Sequence, residues 1–509
     1  MRTVARTLMI QGTASAVGKS LLVTALCRIF HRDGLRVAPF KAQNLSLNSW
    51  VTADGLEIGR AQAVQAEAAG IEPLVEMNPI LLKPEAGMRA QAVVMGKPLC
   101  SFEWREYRER RNEFIEVIER SLARLRQEYE VIVIEGAGSP AEINLNEYDI
   151  VNMHVARLAD APVLLVGDID RGGVFAQLVG TMELLAPDDR ERVAGFLINK
   201  FRGERSLLTP ALDFLTNRYQ IPVLGVVPFV DRLQIADEDS VGLESRSRRS
   251  AKSSAELDIA VIRLPLISNF DDFLPLERES GVRLRYVTNA QDVIHADLAV
   301  IPGSKSTVSD LEWMRREGIA AAIVSRAVAN RPVLGICAGC QMLGESIQDP
   351  HGVESNLAEV NGLGLLGIVT NFGSSKRTAR VRAEIAGRSF LADKLDHVTI
   401  EGYEIHMGLT TRRGDASPCF TVVSRNGETV ATPDGAISRG GAVVGTMLHG
   451  IFANEAMRAA LLAGLWSMRG MIGRARDSGG WTQDSEYDRL AEIVRENTNL
   501  AAIRQIAGI

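Results

Sequence analysis

The sequence predicts an α/β protein of two domains, each built on a parallel sheet. Three observations carry this. The chain has 509 residues, too many for one ordinary core at roughly 100–200 residues per domain. Short apolar runs alternate with amphipathic stretches in both halves, the βαβ pattern, and the runs themselves are uninterrupted, as in strands covered on both faces. Between the halves, residues 233–256 are polar, charged and Ser-rich, and read as a linker. The domains are therefore placed at 1–232 and 257–480, with a helical tail at 481–509.

The elements follow in order. RTLMIQG reads as a buried strand, then a Gly-rich turn, then SLLVTALCRIFHRDG as a helix closed by Gly34. LRVAPFK is a second strand, followed by the long polar segment QNLSLNSWVTADGLEIGRAQAVQAEAAG. REYRERRNEFIEVIERSLARLRQEY is a charged amphipathic helix delivering the strand VIVIEGAG, and APVLLVGDID, VAGFLINKF and IPVLGVVPF are further strands. The second α/β pattern starts at LDIAVIRLP and runs through ADLAVIPGSKST, RPVLGICAGCQMLG and GAVVGTMLHGIF.

Composition narrows the function classes. With 46% hydrophobic and 24% charged residues the chain is soluble and globular, not disordered. Fifty-seven basic against 63 acidic residues give a net charge of −6, which supplies no surface for sequence-independent nucleic-acid binding. Cysteines 27, 100, 337, 340 and 419 form no disulfide framework in a chain this long. No run approaches the ~18 apolar residues of a membrane span. The stretch MRTVARTLMIQG is too short for a signal h-region, so a cytoplasmic location is expected.

Gly12-Thr13-Ala14-Ser15-Ala16-Val17-Gly18-Lys19-Ser20 lies between the first strand and the first helix. Glycines there let backbone N–H groups turn inward, and the helix N-terminus adds positive potential for phosphate. Gly12, Thr13 and Gly18 would shape the cradle, Lys19 would reach the β- and γ-phosphates, and Ser20 would coordinate Mg²⁺. The G-x5-G-K-S spacing is one residue longer than the usual phosphate loop. An acid beside the metal is expected at Glu135, the end of VIVIE, with Asp168 and Asp170 as competitors; Asn199-Lys200 resembles a base-reading pair.

Gly335-Ile336-Cys337-Ala338-Gly339 follows one strand and opens a helix, the pattern of a nucleophile elbow. Attack of its thiolate on a carbonyl needs a proton carrier and an oxyanion hole. The Ala338 N–H and the loop Pro302-Gly303-Ser304 are the candidate hole donors. Of seven histidines, His449 follows a strand-like run late in the same domain and is the candidate base, with His406 as runner-up. A rival reading takes Cys337 and Cys340 as a C-x-x-C redox pair; it leaves the upstream glycine and Gln341 unexplained, and Cys340 is expected to pack.

A carbonyl-attacking thiol and an ATP-binding phosphate loop together predict one reaction class. The thiol would release ammonia from glutamine through a thioester. ATP would phosphorylate a substrate carboxylate, and ammonia would displace the phosphate.

The chain resembles the cobyric acid synthases, the glutamine-hydrolysing amidases of adenosylcobalamin biosynthesis. The resemblance rests on QGTASAVGKS, FKAQNLSLNSWVTADGLEIGRAQAVQAEAAG, MNPILLKP, VIEGAGSPAEINL, DIVNM, GDIDRGGVFA, INKFRG, IPGSKST, GICAGCQMLG, GYEIHMG and LHGIF, which run in order through both domains. It implies an N-terminal P-loop domain like dethiobiotin synthetase, whose phosphate loop has the same spacing. It also implies a C-terminal flavodoxin-like α/β/α domain similar to class I glutamine amidotransferases. It implies as substrate adenosylcobyrinic acid a,c-diamide, amidated with glutamine, ATP and Mg²⁺ at four peripheral carboxylates, b, d, e and g, to adenosylcobyric acid. Cys337 is then the nucleophile and His449 the base, Lys19 and Ser20 serve phosphate and Mg²⁺, and Asn48 and Asp149 are candidates for corrinoid recognition.

Two departures matter. Class I glutaminases usually carry Glu two residues after the His, where this chain has Ile451. A Cys–His dyad is therefore expected, with Glu404 as a candidate orienting partner. Glu204 stands where family members usually have Asp after INKFRG, which leaves the base-reading role of Asn199 open. The alternatives are a cobyrinic acid a,c-diamide synthase, whose substrate loop is more acidic than QNLSLNS, and a non-catalytic nucleotide-dependent scaffold.

Overall fold

A computed structural model describes residues 4–85, 89–231, 233–236, 257–391, 398–470 and 482–509. The expected linker at 233–256 lies outside the described residues from 237 onward, as does the expected boundary at 480.

The first half holds a six-stranded, all-parallel sheet. Its order is Val223–Pro228, Val193–Phe201, Val163–Asp168, Arg6–Gly12, Val131–Glu135, Val37–Phe40. The strands with unbroken apolar runs are buried along almost their whole length, as expected for a sheet with helices on both faces. The strand Arg6–Gly12 is central, and the chain leaves it toward one edge and later crosses to the other. The loop after Gly12 therefore opens at the topological switch point, where α/β sheets bind ligands. The register sets Ile10 beside Glu135 and Gly12 beside Val166.

The polar segment after Phe40 is structured. Gln43–Leu45 joins Ile80–Glu85, Arg89–Val94 and Lys97–Phe102 in a second sheet, Ser49–Val51 pairs with Glu57–Gly59, and Arg60–Ala68 is a helix. The single charged helix expected at 105–129 is two, Trp104–Glu109 and Arg111–Glu128. Arg110 breaks it by pairing its N–H with Tyr107 three residues back, one short of the α-helical interval.

The second half has a parallel sheet ordered Val282–Val287, Leu257–Ile262, Leu298–Ile301, Val333–Ile336, Val443–Thr446, with Ala436–Ile437 antiparallel at its edge. Beside it stands a largely antiparallel sheet built on the long pair Ile368–Ile385 and Thr399–Arg412.

The C-terminal helices Gln483–Asn497 and Leu500–Ala507 return to the first half. Tyr487, Leu490, Val494 and Ile503 share a core with Leu22, Leu26 and Phe30 of the helix Lys19–Arg32. Arg28 pairs with Asp488 at 2.7 Å and Arg32 with Glu492 at 2.9 Å. Among the described residues no helix is long and apolar enough to cross a membrane.

Candidate active sites

The phosphate loop is shaped by its glycines. A Cβ at Gly12 would stand 2.5 Å from Val17 Cγ2, and Gly18 has φ +99° and would meet Asn199 Nδ2 at 2.2 Å, so a side chain at either position would displace a neighbour, and at Gly18 would strain the backbone as well. Lys19 lies buried under the loop and donates through Nζ to the carbonyls of Ala14 (3.1 Å) and Gly138 (3.0 Å). The Thr13 N–H is spent on Val166 O, and its hydroxyl donates to Gln177. Asn199 Nδ2 donates to Val17 O at 2.8 Å and so braces the loop from the neighbouring strand.

Ser20 and Glu135 meet. Ser20 Oγ donates to Glu135 Oε1 at 2.8 Å, and the carboxylate is fully buried. Lys41 Nζ reaches the same oxygen at 2.9 Å, while Gln65 Nε2 donates to the other at 2.6 Å. The competing acids are turned elsewhere: Asp168 pairs with Lys200 at 2.7 Å and Asp170 with Arg202 at 2.9 Å. Among the described residues no three His, Cys, Asp or Glu side chains form a metal cage. One carboxylate and one hydroxyl at a phosphate loop fit Mg²⁺, which retains water and takes phosphate oxygens beside few protein ligands.

Asp149 is occupied by the backbone. Its Oδ1 accepts the N–H groups of Val151 (2.9 Å) and Asn152 (2.8 Å), and its Oδ2 accepts that of His154 (3.0 Å), at the start of the helix Met153–Ala159. It thus shapes the loop that follows Glu135. Asn48 is fully buried where the two halves meet, and its carbonyl accepts the Arg60 N–H.

The second site is built on backbone strain. Cys337 has φ +54° and ψ −111°, between the strand Val333–Ile336 and the helix Ala338–Leu343. An L residue persists in that region only when its surroundings enforce it. Here the Cys337 N–H donates to Thr446 O at 2.8 Å, and a Cβ at Gly339 would fall 2.0 Å from Ile301 O. The strand that holds the elbow, Val443–Thr446, leads straight to His449. Gly303 lies against that ring: a Cβ there would come 3.0 Å from His449 Cε1. Ala338 is the first residue of the helix, where N–H groups have no intrahelical acceptor.

His449 is buried and fixed on several sides. Its N–H and C=O both bond to Tyr403, whose ring stacks on the imidazole at 5.3 Å and 14°. Its Nδ1 stands 2.6 Å from Asp272 Oδ2, and the Gly450 N–H donates to Asp272 Oδ1 at 2.8 Å. Burial opposes charge on the ring, but the Asp272 carboxylate, and the nearby Cys337 sulfur, outweigh it and push the imidazole up to about 10.

Asp272 corrects the expectation of Glu404 as orienting partner. Glu404 instead holds a two-pronged pair with Arg425 at 2.7 and 3.1 Å. His406 lines the pocket in front of Cys337, but burial holds it down to about 4, a neutral ring unsuited to carry a proton. Cys340 is fully buried with its sulfur toward Gly445, and burial raises its thiol well above the ordinary range, so it packs as expected.

The pocket at Cys337 draws on both halves of the chain. Ser304, Lys305, Gln341 and Glu354 of the second half line it together with Lys83 and Gln91 of the first. Behind it Glu57 is buried between Lys83 (2.5 Å) and Lys376, and the two ammonium groups hold its carboxyl well below the usual range.

Comparison with known proteins follows this division. Residues 8–243 match the model of the CobQ/CobB/MinD/ParA nucleotide binding domain, and residues 258–457 that of the CobB/CobQ-like glutamine amidotransferase domain. A protein named cobyric acid synthase from Sorangium cellulosum is 56% identical over 515 residues, covering 99% of each chain. One of the same name from Pelotomaculum thermopropionicum is 50% identical, covering 99% of this chain and 97% of its own.

Proposed function

The chain belongs to the cobyric acid synthase family, and from that premise we propose that it amidates the b, d, e and g carboxylates of adenosylcobyrinic acid a,c-diamide to give adenosylcobyric acid. It is an ATP-dependent amide ligase that takes its nitrogen from glutamine. The observation that carries the fuller reading is the pairing, in one chain, of a strained thiol elbow facing a buried His449 with a phosphate loop whose Ser20 meets Glu135.

In the glutaminase half, Cys337 Sγ attacks the carboxamide carbon of glutamine. The N–H groups of Ala338 and Gly303 receive the oxyanion, and His449 passes a proton to the departing ammonia. Water then hydrolyses the thioester, and glutamate leaves.

In the synthetase half, ATP transfers its γ-phosphoryl group to a corrinoid carboxylate. Free carboxylate is a poor electrophile, whereas the acyl phosphate offers ammonia a good leaving group. Lys19 and Lys41 bring positive charge to the transferring phosphoryl group, and Gly12, Thr13 and Gly18 shape the loop around the phosphates while Asn199 braces it. Ser20 and Glu135 would hold Mg²⁺, which neutralises charge on the phosphate oxygens when bound. The loop shaped by Asp149, and the segment that buried Asn48 anchors, are the candidates for corrinoid recognition.

Substrate carboxylates enriched in oxygen-18 test the acyl phosphate. Each amide formed should deliver one labelled oxygen into inorganic phosphate. Amide formation with unlabelled phosphate would contradict this route.

A further inference from the structure

His449 lacks the carboxylate that a glutaminase of this class carries two residues later; the side chain there is Ile451, which is fully buried. The ring is nevertheless met by an acid from 177 residues upstream, on the short helix Phe270–Phe273. Both oxygens of Asp272 are engaged at this one place, one on His449 Nδ1 and the other on the Gly450 N–H, and the side chain is buried. That is the arrangement needed to fix the proton on Nδ1, leave Nε2 for the sulfur, and stabilise the imidazolium formed in the reaction.

The loop carrying Asp272 is held from the other half of the chain. Asn269 Oδ1 accepts the Ser49 N–H at 3.2 Å, and its Nδ2 donates to Ser49 O at 3.3 Å and to the Tyr403 hydroxyl at 3.2 Å. Asp271 pairs with Arg60 at 2.8 Å. The same guanidinium lies 4.4 Å over the ring of Trp50, which stands edge-on to Tyr403 at 4.9 Å, and Tyr403 stacks on His449. The hairpin Ser49–Gly59 and the start of the helix Arg60–Ala68 thus brace His449 twice. They support its acid through Asn269 and Asp271, and its face through Trp50 and Tyr403.

We propose that Asp272 is the positioning carboxylate of the glutaminase base, and that Ser49 and Arg60 of the synthetase half hold it in place, so that the glutaminase site is complete only with the two halves docked. This rests on the reading of Cys337 and His449 as a glutaminase pair.

The test uses the full chain and measures glutamate release from glutamine beside ammonium-driven amidation. Wild-type protein that released no glutamate would overturn the glutaminase reading itself. With wild type active, Asp272→Asn should lower glutaminase kcat by about 10²-fold or more, since a misheld imidazole loses orders of magnitude in rate. KM for glutamine should stay within about threefold, because the lost interaction matters in the transition state. Ammonium-driven amidation should persist. Arg60→Met should lower the same kcat about tenfold, as expected when supporting contacts are removed. A kcat retained in Asp272→Asn, or a parallel fall in ammonium-driven amidation, would overturn the role of Asp272. An unchanged kcat in Arg60→Met would overturn the role of docking.

Discussion

Cys337→Ala should abolish glutamine-driven amidation while leaving amidation driven by added ammonium. The nucleophile cannot be replaced from within the pocket. Cys340 is buried with its sulfur against the sheet and its thiol raised well above the ordinary range, and His449 has no other thiol to serve. Removing one member of a group that acts as a unit costs roughly 10⁴–10⁶ in rate, so the glutamine-driven reaction should fall below detection. Alanine also removes only a sulfur from a residue held by its backbone, through the Cys337 N–H to Thr446 O. The elbow, and with it the docking of the halves, should survive. The check is a paired rate measurement with glutamine and with ammonium; loss of both would make Cys337 a structural residue.

Lys19→Ala should have the complementary effect. Lys19 Nζ lies between the Ala14 and Gly138 carbonyls, with its charge directed into the loop that would hold the phosphates. Deleting one such donor from a water-poor site costs about 10²–10³ in rate, and loss of a full charge belongs at the upper end of that range. Amidation should fall that far with either nitrogen source, because both need the primed carboxylate. Glutamine hydrolysis should continue, since Cys337, His449 and Asp272 belong to the other half of the chain while Lys19 donates to Ala14 and Gly138. A variant that lost ammonium-driven amidation and glutaminase together would contradict the separation of the two sites.

What the sequence makes legible follows from locality. The parallel strands stand out because burial on both faces leaves unbroken apolar runs such as VIVIE and VLLV. Both site loops stand out because their chemistry is confined to a few consecutive residues that need glycine. Ser20 with Glu135, and Cys337 with His449, come together where strand order brings their ends.

Asp272 is not legible in the same way. Two acids in NFDDF look like solubilising charge until the fold buries them, and only the long crossing from residue 272 to 449 supplies their meaning. Lys41 has a local signal: it is a lysine directly after the buried strand Val37–Phe40, at the end where such sheets bind ligands. The long antiparallel strand Ile368–Ile385 has a local pattern too. Ala379, Val381 and Ala383 are buried while Arg382 and Glu384 are exposed, a period of two that marks a half-buried strand rather than one covered on both faces. The ion cluster of Glu57 with Lys83 and Lys376, and the return of the C-terminal helices to the first half, depend on contacts between distant segments that no local pattern encodes.

In the proposed function, nitrogen released at Cys337 joins a carboxylate primed at the phosphate loop. The most direct test of this transfer is mass spectrometry of corrinoid product. The full chain is given adenosylcobyrinic acid a,c-diamide, ATP, Mg²⁺ and glutamine labelled with nitrogen-15 in its amide. The expected result is stepwise conversion to a product in which every new amide carries the heavy nitrogen, and no conversion when ATP is withheld. Recovery of the unaltered diamide, even with surplus ammonium in the mixture, would contradict it.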